Sequence, residues 1–210
     1  MVMETILRTI RIFNSRVKNL SFLEMISLML SSLFKTERVI IYVKPLDNEI
    51  QFQKYSELHK FIHKGEIPEL IAYRGNKAST LWEFFCDIYD EVSDFFIFKN
   101  NAEIGHISWI YYKHHHNRIL DLSENEAEIK YSLTEPKFRG RGLYPATLIK
   151  IQRYLKDNGY RKVFICVNME NIASIKGIQK AGFELLAQVK IIKFMGLQLN
   201  KKYSTHRRKE

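Results

Sequence analysis

A chain of 210 residues, 46% hydrophobic and 13% aromatic, can bury one core of its own and is too aromatic to stay disordered. Its 33 basic and 23 acidic side chains leave a net charge of +10 and a pI near 9.5, which favours phosphate-bearing small molecules, nucleic acid, acidic membranes or an acidic carrier protein as partners. Cys86 and Cys166 both lie in apolar runs, without Cys-x-x-Cys or Cys/His metal spacing; free, buried thiols in a reducing cytoplasm are expected, with no metal site.

Residues 1–20 carry Ile6, Ile10, Phe13, Val17 and Leu20 at helical spacing, with Arg8, Arg11, Arg16 and Lys18 among them. Ser21 and Glu24 then form a capping box, satisfying N–H groups that a helix start leaves open. The helix they open, over residues 22–34, is apolar almost all round. Its roughly 13 apolar residues, with Glu24 inside, fall short of the roughly 20 that a membrane span needs. Thr36-Glu37-Arg38 follow it, with no small-x-small cleavage site. The expectation is a helix packed on the domain or on a homodimer mate, with peripheral rest on a membrane or a carrier protein as the alternative. Residues 1–36 are read as an N-terminal helical extension, 37–203 as one domain and 204–210 as a basic tail.

Residues 39–43, Val-Ile-Ile-Tyr-Val, form a short β-branched strand stopped by Pro45. Between Ser56 and Ile88 the pattern is helical, broken at Gly65–Pro68 and Gly75-Asn76, with Leu81, Phe84, Phe85, Ile88 and Tyr89 as a core stripe. Residues 94–99 and 103–112 read as strands joined by the Asn100-Asn101 turn. His114, His115 and His116 follow; adjacent histidines do not easily converge on one metal from a loop, so a solvated loop is expected.

Residues 127–144 are the most informative stretch. Ile129, Tyr131 and Leu133 alternate with Glu128, Lys130 and Ser132, which sets Glu128 opposite the apolar side chains of a strand. Pro136 ends that strand, having no N–H to give a ladder. Arg139-Gly140-Arg141-Gly142 then turns the chain into a helix over residues 143–155. A strand, a glycine turn flanked by arginines and a helix start make a phosphate cradle: bare backbone N–H groups approach an anion, the helix adds roughly half a positive charge and the arginines add whole ones. Residues 163–167 form a parallel strand buried on both faces. Asn171 to Phe183 hold a short helix closed by Gly182. Residues 183–195 and 197–203 pivot on Gly196 as a final hairpin.

The two motifs together resemble the GNAT superfamily of acyl-CoA N-acyltransferases. Arg139-Gly-Arg-Gly142 is similar to its Q/R-x-x-G-x-G/A pyrophosphate loop, and Asn171 to Phe183 to its N-x-x-[A/S]-x-x-x-x-x-K-x-G-F helix, in the right order and spacing. The resemblance covers residues 95–194, with weaker support back to Val39. It implies an α/β (α+β) fold with a mixed central sheet of about six to seven strands flanked by helices, acetyl-CoA or another acyl-CoA as co-substrate, and no metal. It also implies that the central strand and the strand after the cradle helix part, with the pantetheine arm between them. Leu133, Arg139, Gly140, Arg141, Gly142, Leu143, Tyr144, Asn171 and Ser174 are then the donor contacts. Glu128 lies eleven residues before Arg139, where the histone-acetyltransferase branch keeps its catalytic glutamate; Glu126 and Glu135 are the reserves.

Three departures stand out. Tyr144 replaces the small residue that ends the family's loop, Pro145 removes one donor from the cradle, and Ile178 stands where the family often keeps the tyrosine that protonates the thiolate. Another group, Tyr144 or water among them, then serves as the acid, or the thiolate leaves unassisted. The leading expectation is an N-acyltransferase, most simply an N-acetyltransferase, acting on a primary amine of a small molecule such as an amino sugar or amino acid derivative. A long-chain transferase fed by acyl-CoA or acyl carrier protein and a CoA-binding regulatory module without turnover are the alternatives. Nucleic-acid binding has only the charge behind it, with no RNP, helix-turn-helix or zinc signature.

Overall fold

The computed structural model describes residues 34–47, 55–75, 81–101, 103–116, 119–194 and 197–205. The readings of residues 1–33 and of the tail beyond 205 lie outside them. The chain divides into two compact units, one of residues 41–186 and one of residues 1–40 with 187–210.

The larger unit carries β1 (Phe34–Pro45, entering it at Ile41), β2 (Ile62–Lys64), β3 (Phe95–Asn100), β4 (Glu103–Tyr111), β5 (Glu126–Thr134) and β6 (Lys162–Asn168). Its helices are α1 (Ser56–His59), α2 (Ile67–Gly75), α3 (Cys86–Tyr89), α4 (Leu143–Asp157) and α5 (Ile172–Lys180), with single 3₁₀ turns at Trp82–Phe85 and Pro136–Phe138. The strands are ordered β2-β3-β4-β5-β6 with β1 beside β6. β2 to β5 pair antiparallel and β5 with β6 parallel, so the sheet is mixed. In the smaller unit, β7 (Glu184–Phe194) and β8 (Leu197–Thr205) form an antiparallel hairpin from Ala187↔Thr205 to Phe194↔Leu197, and Val189 and Ile191 turn inward.

Eight strands are present among the described residues, against the six to seven expected. The addition is β2, which falls inside a stretch read as helical. Three residues are too few for a period to show. Ile62 is buried, and the strand pairs with Phe96, Ile97 and Phe98 at the edge of β3. The two thiols also differ: Cys86 is buried as expected, whereas Cys166 is only half-buried.

Both faces of the β3–β4–β5 sheet are covered. Phe95, Ile97, Ile107, Trp109 and Tyr111 pack one face against Leu70, Tyr73 and Phe84 of the 67–89 segment. The Trp109 indole N–H donates to the Glu83 carbonyl at 2.7 Å and the Tyr111 hydroxyl to Asp90 Oδ2 at 2.6 Å, so the polar ends of these rings are satisfied. α4 covers the other face with Leu148, Ile151 and Leu155, each contributing about 1.5–3 kcal/mol by burial.

One irregularity re-aims the central strand. His106↔Thr134 and Ile107↔Leu133 pair directly, but Trp109 pairs with Lys130, so two residues of β5 oppose Ser108. The extra residue is Tyr131, held at φ 48. A bulge of this kind breaks the two-residue alternation. Glu128, Lys130, Tyr131 and Leu133 therefore share the face of Trp109 and Tyr111, while Ile129, Ser132 and Thr134 share the face of α4. The expected alternation, with Glu128 opposite Tyr131 and Leu133, is corrected by this bulge.

Candidate active site

β5 ends at Thr134, and the 3₁₀ turn at Pro136–Phe138 carries the chain off the sheet edge. Phe138 is buried beside Phe98 and over Gly105, where a Cβ would come within 2.8 Å of its ring. That anchor fixes the start of the glycine turn. Gly140 and Gly142 then take φ +77 and +76, the left-handed region that side chains resist. A Cβ at Gly140 would meet nothing within 4 Å, so backbone conformation rather than crowding requires glycine there. Gly142 is the N-cap of α4 without a side-chain cap, so the cradle keeps first-turn N–H groups open to an anion.

A cavity of about 580 Å³ lies over this turn, within the range of small-molecule sites. Leu133, Arg139, Gly140, Gly142, Leu143, Tyr144, Asn171 and Ser174 line it, eight of the ten candidates named from sequence. Asn171 caps α5 by accepting from the Ser174 N–H at 3.1 Å, which fixes the far wall. Arg139 donates from Nε to the Thr134 carbonyl at 3.1 Å and lines the cavity. Arg141 does not: it lies on the Phe138 ring, 5.3 Å from its centroid, and donates to the Lys137 carbonyl.

The near wall is the open side of β5. Its parallel ladder with β6 runs only from Glu126↔Lys162 to Glu128↔Phe164, although β5 continues to Thr134 and β6 to Asn168. Past that rung no pairing joins the two strands.

A family model described as an acetyltransferase (GNAT) domain matches residues 46–184. The chain belongs to this family. A protein described as an uncharacterized N-acetyltransferase from Methanocaldococcus jannaschii is 28% identical over 138 residues, 65% of this chain and 54% of its own length. The chain thus spans about half of that relative. Among solved structures, a putative GNAT acetyltransferase from Novosphingobium aromaticivorans superposes with a TM-score of 0.51 at 17% identity, covering 74% of this chain and 63% of the other. A region described as a glucosamine N-acetyltransferase, in a fungal multi-domain beta-N-acetylglucosaminidase, does so with a TM-score of 0.56 at 14% identity, covering 81% and 22%. Both likenesses concern the GNAT fold.

On this GNAT scaffold Glu128 stands at the last paired rung, outside the lining of the cavity. Its side chain is 2% exposed, and Oε2 has no hydrogen-bond partner. The Lys130 ammonium sits 3.4 Å from that oxygen and 4.4 Å from the centre of the Tyr111 ring. The two reserve carboxylates are engaged elsewhere. Glu126 is pushed up by burial but held below its usual range overall by the Ser123 N–H and Lys162, while Glu135 accepts from the Tyr73 hydroxyl at 3.1 Å.

Sequence reasoning passed over several residues that line the cavity. Lys176 and Lys180, one helical turn apart on α5, add two cations to Arg139. His106 and Ser132 open a buried polar chain. His106 Nδ1 is 2.7 Å from Thr134 Oγ1 and Nε2 is 2.8 Å from Ser108 Oγ, which is 2.8 Å from Ser132 Oγ, itself hydrogen-bonded to the Tyr144 hydroxyl. Burial drives the His106 imidazole down to about 3, so it stays neutral. The available signal was His106-x-Ser108, two polar residues at strand spacing inside an apolar run.

Proposed function

We propose that the chain moves an acyl group, most simply acetyl, from acyl-CoA to a primary amine of a small molecule such as an amino sugar or amino acid derivative. The observation that carries this reading is the meeting, in one cavity, of the glycine cradle, three cations and the open side of β5. The residues fit the donor. The N–H groups of the turn, with Arg139, would hold its diphosphate, Lys176 and Lys180 add positive charge, and Asn171 and Ser174 flank the arm along β5 near Leu133. The description of the archaeal relative as an N-acetyltransferase supports the same reaction class.

When bound, the thioester supplies an activated acyl carbonyl. Glu128 stands where β5 and β6 part, with a buried carboxylate oxygen that lacks a hydrogen bond. The Lys130 ammonium is its charge partner at 3.4 Å, and an acceptor ammonium bound there would share the carboxylate with Lys130. Glu128 then takes one proton from the acceptor ammonium and frees the nitrogen lone pair for attack. The test is release of free thiol from acetyl-CoA across a panel of primary amines. Amine-dependent release is expected; no release with any amine would overturn the reading.

A further inference from the structure

Position 178, where the family often keeps the tyrosine that protonates the departing sulfur, holds the fully buried Ile178. The ring of Tyr144 lies against the neighbouring Gly177 instead, so close that a Cβ there would stand 2.6 Å from Tyr144 Cδ1. Glycine at 177 is what admits the ring. On its other side the ring meets His106, with centroids 5.7 Å apart, and its hydroxyl is bonded to Ser132. Tyr144, Ser132, His106 and Thr134 all line the cavity. The hydroxyl–imidazole chain therefore starts and ends on the same cavity, passing through buried Ser108 between.

On the reading of the chain as an acyltransferase, we propose that Tyr144 is the acid that protonates the leaving sulfur, and that Ser132, Ser108, His106 and Thr134 reprotonate it. As the carbon–sulfur bond breaks and its electron pair goes to sulfur, Tyr144 gives up its hydroxyl proton. Ser132 returns one to the tyrosine oxygen, Ser108 to Ser132, and His106 Nε2 to Ser108. His106 regains a proton at Nδ1 from Thr134, which takes one from water in the cavity, while the proton shed by the new amide nitrogen leaves to solvent. Each group ends neutral: sulfur has gained a proton drawn through the chain from water, and the nitrogen has released one to solvent. A neutral imidazole suits the task because it accepts at one nitrogen while donating from the other, exchanging tautomers. Tyr144 is the catalytic residue; the other four position and recharge it.

The test compares wild type, Tyr144→Phe and Ser132→Ala with acetyl-CoA and with acetyl-seleno-CoA, whose selenolate leaves as a weaker base. Tyr144→Phe is expected to lower kcat with acetyl-CoA by about 10²-fold or more, the lower range of general acid catalysis. Its deficit should shrink at least about tenfold with the selenoester. Ser132→Ala should show the same pattern more weakly. Without turnover, the thiolate absorbance of CoA bound to wild type at fixed pH should exceed that of CoA bound to Tyr144→Phe, because the phenol O–H stabilises the anion. Equal deficits on both donors, equal thiolate signals, or an unchanged kcat in Tyr144→Phe would each overturn the assignment while leaving the acyltransferase reading in place. A wild type that turns over neither donor would overturn that reading and this assignment with it.

Discussion

Replacing Gly177 with alanine sets two known effects against each other. In the interior of α5, alanine is better than glycine by about 0.5–1 kcal/mol, because the unfolded chain loses less freedom. Against this, the new methyl would sit 2.6 Å from Tyr144 Cδ1 and 3.2 Å from Cε1. The ring cannot yield easily, since His106 and the Ser132 bond hold it on the far side and Pro145 follows it in the first turn of α4. Overpacking of this kind costs about 1–3 kcal/mol, so the clash outweighs the gain over most of that range and the net loss is up to about 2.5 kcal/mol. In a chain of this size that lowers Tm by up to about 10 °C, measurable by scanning calorimetry. In a Tyr144→Ala background the obstacle is gone and the same substitution should stabilise by about 0.5–1 kcal/mol. A higher Tm for Gly177→Ala in the wild-type background would refute the close packing of Tyr144 on α5 from which the argument starts.

Glu128→Gln keeps the shape of the side chain but removes the basic oxygen; kcat should fall by roughly 10²–10⁴ with CoA affinity nearly unchanged. A normal kcat with only the acceptor KM raised would make Glu128 a binding residue. His106 gives a pH prediction with a definite sign. Its imidazole is lowered from 6.5 to about 3 by burial, so between those values the unfolded chain binds a proton that the folded chain does not. Stability from this site is complete above about pH 6.5 and is lost as pH falls toward 3. The difference in Tm between wild type and His106→Gln, followed from about pH 7 to about pH 4, should therefore narrow; a constant difference would refute it.

The parts of the site that were legible in the sequence are those written in short-range chemistry. A Gly-x-Gly between a strand-ending proline and an apolar helix admits few backbones, and Gly140 and Gly142 adopt the positive φ it implies. The short helix expected after Asn171 is present as α5, closed at Gly182. What stayed hidden depends on a register or a partner far along the chain. Tyr131 carries the bulge without any glycine to mark it, so the strand reads as an unbroken alternation and Glu128 falls on the wrong face. β2 is three residues long and has meaning only beside β3. Likewise, the polar chain joins residues 106, 108, 132, 134 and 144, brought together by strand pairing and by the docking of α4. Arg141 shows the limit of motif spacing: the turn places it beside the cradle, yet the Phe138 ring and the Lys137 carbonyl hold it off the cavity.

The central claim is that the cavity over the glycine turn is the acyl-donor site. Isothermal titration of wild type and Arg139→Ala with acetyl-CoA tests it most directly. The account predicts one molecule bound per wild-type chain and an affinity weakened by about 1.5–3 kcal/mol in the variant, the worth of a hydrogen bond to a charged group. Equal affinity in both proteins would contradict it.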